Sequence, residues 1–436
     1  MIHIDFWNED IETAPRERIQ DIQLQRLRKL VDYCRERVPF YKKKLDDAGI
    51  TGEHIKHIDD IEKIPFTEKK DFLDNYPNGL FAVPRKEIVR IHASSGTTGK
   101  PTVVGYTRND IDMWSENMAR LVVAAGASDE DTAQICFGYG LFTGALGLHY
   151  ALEKIGAAVV PISSGNTEKQ LMVMKDFETT LIISTPSYAL YMGESAKEAG
   201  YKRSDFKLNK AMLGSEGCTE EQRAKIEELW GIEVTDNYGM SELIGPGVSG
   251  ECIYKDGLHI NEDHFLPEIC DINSMRHVSD GGAGELVITT LTKEALPLLR
   301  YRTKDITDIR YNTCRCGRTS ARMSKITGRS DDMIKIKGVN VFPSQIENII
   351  LAIPNVSPHY RIVLHTENFI DKMEIEVEFD DASLLEKYSE LEKLQEQIRH
   401  KVKTHVGIDI KVTLVAPKSL ERYTGKAKRV FDSRTK

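Results

Sequence analysis

The chain has 436 residues, of which 40% are hydrophobic and 29% charged, enough for a large core and more than one domain. Its 59 basic and 67 acidic residues leave a net charge of −8, which argues against a nucleic-acid partner, because such binding needs a concentrated basic patch. Seven unevenly spread cysteines are not a secreted disulfide framework, no apolar run approaches the roughly 18 residues of a membrane span, and "MIHIDFWNED" has no signal-peptide pattern; a cytoplasmic protein without a membrane partner is expected.

Ile19, Ile22, Leu27, Leu30, Val31 and Cys34 recur at helical spacing, which predicts an amphipathic helix up to Pro39. From about residue 90 to 290, short β-branched runs alternate with helical stretches: "TVVGYT" (102–107), "AAVVPI" (157–162), "TTLIIST" (179–185) and "GELVITT" (284–290), with the helical "EKQLMVMKDF" (168–177) between two of them. This alternation implies βαβ units, hence mixed or parallel sheets with helices on their faces. Near Gly328 the character changes. The polar stretch "GRSDDMIKIKGVNVFPSQIE" (328–347) leads into a helix from about Pro343, the strands "RIVLH" and "MEIEVEF", a charged helix at about 383–405 and a last strand, "IDIKVTLVA". The fold class is α/β: a large N-terminal domain (1–330) of mixed sheets flanked by helices, plus a small, mobile α+β domain (331–436).

Several short motifs carry chemistry. "SSGTTGKP" (Ser94, Ser95, Gly96, Thr97, Thr98, Gly99, Lys100, Pro101) combines close backbone approach, hydroxyl donors and one cation just before a strand, which suits phosphate and equally suits an ordinary turn. It is not a Walker A motif, since only two residues separate its glycines and Pro101 follows the lysine. "NYGMSE" (237–242) offers Glu242 as a Mg²⁺ ligand and Tyr238 as a ring to stack on a base. In "YRTKDI" (301–306), Asp305 can accept hydrogen bonds from two ribose hydroxyls, or else pair with Arg302 or Arg300. "YTGKAKRV" (423–430) puts Lys426 on a loop, where a lysine matters only if the loop closes over a site.

"TCRCGR" sets Cys314 and Cys316 one residue apart, with Cys252 in "SGEC" and His259 in "GLHINEDHF". A Cys₃His set is a closed tetrahedral zinc site, structural rather than catalytic, that would clamp the 252–259 segment to the loop before residue 330. The C-x-C spacing is tighter than usual, and ordinary reduced thiols are the competing reading; Cys270 and His264 are alternative ligands.

The ordered set "SSGTTGKP", "GSEG", "YGMSE", "YRTKD", "GRSDDMIKIKGVNVFPSQIE" and "GKAKR" resembles the adenylate-forming superfamily of acyl-CoA ligases, adenylation domains and luciferases. Within it, residues 139–170, 238–252 and 328–347 look like the phenylacetate–CoA ligase family. The resemblance implies an acid–thiol ligase: an aryl carboxylate such as phenylacetate attacks the α-phosphorus of ATP, and CoA then takes the acyl group from the adenylate. A related acid, or an acceptor other than CoA, is the alternative, and a homodimer is implied. The carboxylate is already ionised at neutral pH, so catalysis reduces to positioning and charge stabilisation.

Residue by residue, the resemblance implies that Ser94–Lys100 hold the β- and γ-phosphates, and that Ser215 and Glu216 line the adenine pocket with Tyr238 and the adjoining Gly239, Met240 and Ser241. Glu242 takes Mg²⁺, Asp305 the ribose, and Arg329 the nucleotide, while Asp331 is the hinge. Lys426 bridges carboxylate and α-phosphate, Gly338 lies near the pantetheine tunnel, and Tyr139, Phe142, Gly144 and Ala145 surround the acid, with "STPSY" (184–188) close by.

Overall fold

The computed structural model describes residues 5–94, 101–278, 281–336, 339–367, 370–424 and 427–434. Its largest sheet runs, among the described residues, Ile309–Arg310, Arg322–Met323, Leu258–Ile260, Gly245–Glu251, Glu233–Met240, Lys210–Gly214, Leu181–Ser184, Thr132–Ile135 and Ala158–Val160. The last five of these strands are parallel. Beyond Glu233–Met240 the pairing turns antiparallel.

The central parallel strand Leu181–Ser184 is buried throughout and mostly apolar because both its faces are covered. Leu181 and Ile183 enter a core shared with the helices Arg108–Ala124 and Gly144–Ile155. Ile182, between them, enters a second core with Tyr188, Ile226 and Trp230 from the helices Pro186–Glu198 and Glu220–Trp230. A second sheet is antiparallel, in the order Phe265–Cys270, Gly284–Thr290, Tyr301–Thr307, Gly328–Arg329.

The first long helix, Arg16–Arg37, buries five of the six apolar positions expected of it, Ile22 being half-buried. It stops at Val38, whose extended backbone lets Pro39 open the next helix, Pro39–Ala48.

The C-terminal part has its own core, from Ile334 to Val412, which shares no described residue with the others. Its sheet runs Lys411–Val415, Ile370–Phe379, Val356–Glu367, Val430–Asp432, with the helix Tyr388–Val406 packed against it. Two expectations need correction. The last strand is Val430–Asp432, pairing parallel with Val356–Glu367, and not the "IDIKVTLVA" segment. Three residues flanked by charge carry no alternation to read. The polar stretch from 328 also contains a short antiparallel pair, Ile334–Ile336 with Val339–Val341.

Candidate active site

In an open sheet with parallel strands, ligands bind beyond the carboxyl ends of those strands. A cavity of about 410 Å³ lies there, lined by Ser187, Ser215, Glu216, Asp236, Asn237, Tyr238, Gly239 and Met240 on the large unit. Asp305 and Arg329 also line it, and Pro343, Ser344, Glu347, Tyr360, Ala427 and Arg429 of the small unit face it. Ser215 follows the strand Lys210–Gly214 with a left-handed backbone, φ 69°, a conformation that non-glycine residues keep at functional turns.

A polar chain runs through the cavity. The Tyr238 hydroxyl donates to Asp305 Oδ2 at 2.7 Å, and Arg329 Nη1 donates to Asp305 Oδ1 at 2.8 Å. Asp305 and Arg329 face each other across the paired strands Tyr301–Thr307 and Gly328–Arg329, so sheet register sets their contact. Arg329 also grips Asp331 through two bonds of 2.9 and 3.0 Å. Burial raises the Asp305 carboxyl above its usual range, while the Arg329 charge and the Tyr238 hydroxyl oppose the shift. The alternative pairing of Asp305 with Arg302 or Arg300 is not what forms: Arg302 binds Glu285 and Glu68, and Arg300 binds Glu268. Each Asp305 oxygen keeps a further lone pair for a ligand hydroxyl.

Glu242 is buried and does not line this cavity. Its backbone carbonyl accepts from Lys293 Nζ at 3.1 Å, and that fully buried ammonium sits 4.9 Å from the centre of the Tyr106 ring. Burial pulls Lys293 down to about 8, against the charges of Asp110 and Glu242. Asp110 is itself fixed by the backbone amides of Thr107, Glu294 and Ala295 at 2.9, 2.7 and 2.9 Å. Neither Lys293 nor Asp110 belongs to a recognisable motif, so nothing in the sequence marked them as supports of the Glu242 turn.

Ser241 joins this turn to the segment 139–145, where the acid pocket is expected, through a 3.0 Å bond between its hydroxyl and that of Thr143. Gly144 opens the helix Gly144–Ile155; a Cβ there would meet Phe142 Cε1 at 2.4 Å. Phe142 is 43% exposed and touches Phe137 edge to face. Tyr139 is half-buried, its hydroxyl 3.0 Å from His149 Nδ1. Ala145 is wholly buried in the core. In "STPSY", Thr185 caps the helix Pro186–Glu198 by accepting from Tyr188 N at 3.2 Å, which leaves Ser187 at the cavity.

Sequence reasoning missed five charged residues of the cavity wall: Asp236, Lys325, Asp332, Glu347 and Arg429. Burial and the neighbouring Glu251 charge push Asp236 up to about 7, although Lys325 and Arg223 pull the other way. Glu347 is likewise raised, chiefly by burial, and Arg429 is its compensating cation. Of the expected positions, Ser94 ends the strand Arg90–Ser94 opposite Thr102. Ser95, Gly96, Thr97, Thr98, Gly99, Lys100, Gly338 and Lys426 lie outside the described residues. A larger recess of about 920 Å³ on the small unit holds no such constellation: Arg399 pairs with Asp409, Lys411 with Glu374 and Lys372 with Glu367.

Cys252, His259, Cys314 and Cys316 converge, all buried, with their ligand atoms within 4.8 Å of one another. Cys252 Sγ lies 3.8 Å from Cys314 Sγ, and Cys316 Sγ lies 3.5 Å from His259 Nε2. Tetrahedral zinc with Zn–S of about 2.3 Å and Zn–N of about 2.05 Å sets these edges at about 3.8 and about 3.5 Å. Ser320 Oγ, 3.0 Å from His259 Nδ1, leaves Nε2 as the ligand atom and supplies the outer partner such sites use. The alternative ligands lie elsewhere: His264 contacts Asp263 and Thr292, and Cys270 ends a strand of the antiparallel sheet. The knuckle is tied to the N-terminus by Arg318 Nε donating to Glu12 at 2.6 Å and by Thr319 donating to Ala14 O at 2.6 Å.

The described residues contain no helix long and apolar enough to cross a membrane. Residues 21–291 match the family model of the AMP-binding enzymes, and 338–434 match that of the AMP-binding enzyme C-terminal domain. The phenylacetate-coenzyme A ligase of Thermus thermophilus is 47% identical, covering 98% of this chain and 99% of that protein. The one from Escherichia coli is 46% identical over 97% of each chain. Among solved structures, 2-hydroxyisobutyryl-CoA ligase in the postadenylation state with 2-HIB-AMP aligns with a TM-score of 0.92 at 28% identity, covering 98% of this chain and 92% of that one. The same ligase with 2-HIB-AMP and CoA in the thioesterification state gives 0.73 at 29% identity and the same coverage. Six ordered motifs, two matched family models and near-full-length relatives converge: the chain belongs to the phenylacetate-coenzyme A ligase family of AMP-binding enzymes.

Proposed function

We propose that this protein is an ATP-dependent phenylacetate–CoA ligase, forming an acyl-adenylate and then the thioester with release of AMP and pyrophosphate. The observation that carries the reading is the Tyr238–Asp305–Arg329 chain, set at the carboxyl ends of parallel strands in a nucleotide-sized cavity. In this reading Ser215, Glu216, Tyr238, Gly239, Met240 and Ser241 surround the adenine, Asp305 accepts from the ribose, and Arg329 contacts the nucleotide. Ser94–Lys100 take the phosphates, Gly338 borders the thiol's approach, and Tyr139, Phe142, Gly144 and Ala145 shape the acid pocket.

Glu242, a hard-oxygen donor, would hold Mg²⁺, which lowers the charge barrier between an anionic acid and a polyanion. Residues 1–330 and 331–436 are proposed as the two domains, with Asp331 as the hinge between them. Its hold on Arg329 couples that hinge to the ribose carboxylate. The Cys252–His259–Cys314–Cys316 set fits one structural zinc, supported by the edge lengths above. A cytoplasmic homodimer without nucleic-acid or membrane partners completes the proposal.

Acid-dependent exchange of pyrophosphate into ATP, followed by thioester formation on adding CoA, tests the reaction; a panel of aryl and short aliphatic acids tests the substrate. Lys426→Ala should abolish exchange and spare thioester formation from supplied acyl-adenylate. Equal loss of both steps would remove the assigned role of that lysine.

A further inference from the structure

Glu216 sits in the turn after the strand Lys210–Gly214 and spends both carboxylate oxygens on backbone amides from different parts of the molecule. Its Oε2 accepts from Ser187 N at 3.2 Å, in the first turn of the helix Pro186–Glu198, where a helix favours negative charge. Its Oε1 accepts from Ala427 N, in the segment that leads into the strand Val430–Asp432. One side chain therefore ties the large unit to the small one at the rim of the nucleotide cavity.

The charge around this tie is balanced locally. Glu347 and Tyr360 of the small unit both feel the Glu216 carboxylate, and Arg429, 4.6 Å from the Tyr360 ring centre, offsets the two acids. Other bonds cross between the units: Lys225 Nζ donates to Val356 O at 3.2 Å, and His359 Nε2 lies 3.2 Å from Glu194. Lys418 and Glu198 pair at 2.8 Å, but both are largely exposed and such a pair contributes little. Two crossing contacts among the described residues are made at the cavity by residues that line it, Ser344 Oγ donating to Thr327 O and Glu216 accepting from Ala427 N, and of these two the one from Glu216 holds the segment next to Lys426.

We propose that Glu216 is a positioning residue for acyl-adenylate formation: by holding the amide of Ala427 it docks the segment 427–429 against the nucleotide cavity in this orientation of the small unit. The proposal rests on the ligase reading and adds to it a residue that acts through the backbone. Ala427 follows Lys426 directly in the chain, so the anchor works one residue away from the proposed adenylation lysine. The overall arrangement aligns better with the postadenylation state of 2-hydroxyisobutyryl-CoA ligase than with its thioesterification state, 0.92 against 0.73 in TM-score. A contact made in one orientation stabilises that orientation by its differential worth and separates the two half-reactions.

Two measurements test this on the full chain. In Glu216→Ala, kcat for acid-dependent pyrophosphate exchange should fall about ten- to hundredfold, the worth of one charge-assisted hydrogen bond, with KM for ATP changed far less. Thioester formation from acyl-adenylate supplied at saturation, the fair comparison for a residue that also borders the adenine, should fall several-fold less than exchange, and Glu216→Gln, which keeps one acceptor oxygen, should recover part of the exchange rate. Hydrogen exchange at the Ala427 amide, which needs no reaction, should lose protection in Glu216→Ala. Unchanged protection there overturns the anchor, as does equal loss of both half-reactions or a raised KM for ATP at constant kcat. A wild-type protein that exchanges no pyrophosphate with any acid refutes the ligase reading instead, and the amide measurement still decides the anchor.

Discussion

Replacing Asp236 by asparagine removes a titrating group from the cavity wall while keeping its shape. Burial and the Glu251 carboxylate raise Asp236 from 3.8 to about 7 in the folded protein. The folded state thus holds this proton more tightly than the unfolded chain does, and native stability falls as pH climbs from about 4 through about 7. Above that window the full cost is present, and below it none is. A shift of about 3 units at about 1.36 kcal/mol each makes the cost about 4 kcal/mol, an upper figure for a site that shares its charge with Arg223 and Lys325. The substituted amide has no proton to lose, so D236N should gain stability over wild type by several kcal/mol between pH 4.5 and pH 8. Urea unfolding of both proteins at the two pH values measures this, since every other titrating group is common to the pair and cancels. A stability difference that stays constant within about 1 kcal/mol across that range would refute an acid held neutral by its surroundings.

Further outcomes follow from the same contacts. Tyr238→Phe strips one donor from the buried Asp305 carboxylate and should weaken adenylation by about 1.5–3 kcal/mol, read from kcat/KM for ATP in pyrophosphate exchange. Gly239→Ala would put a Cβ 2.0 Å from Gly245 O and 2.6 Å from Pro246 Cα; both are backbone, so the strand pair must separate. Stability should drop by about 1–3 kcal/mol in thermal or urea unfolding, with exchange activity lost in parallel. Cys314→Ser should reduce bound zinc from about one ion per chain to well below it by elemental analysis, with a lowered unfolding temperature. A wild-type protein free of zinc after purification in chelator-free buffer would leave that cluster as four reduced side chains.

What the sequence disclosed was the part written in local patterns. The β-branched runs announced strands but not their direction: those at 157–162 and 179–185 lie in the parallel part of the large sheet, while those at 102–107 and 284–290 pair antiparallel. The convergence of Cys252, His259, Cys314 and Cys316 was legible from residue chemistry, although Cys252 and Cys316 stand far apart in the chain, because three cysteines and a histidine in polar loops suggest one shared cluster. What stayed hidden depends on register and long-range packing. That Asp305 meets Arg329 and not its sequence neighbour Arg302 is fixed by which residues face each other across two strands. Asp110, Lys293 and Asp236 act through burial, which no short motif encodes. Val430–Asp432 is too brief and too charged to read as a strand until its parallel partner is in place.

The bond between Arg318 and Glu12 joins residues 306 positions apart, both almost fully shielded from solvent. During synthesis the strap around Glu12 emerges well before its docking site, which is complete only once Arg318, 306 positions later, has been made. Until then Glu12 and the backbone around Ala14 lack their mates, and the strap has nothing to settle upon. Closing so long a loop comes late in folding. The strap around Glu12 is thus made long before it can find its place.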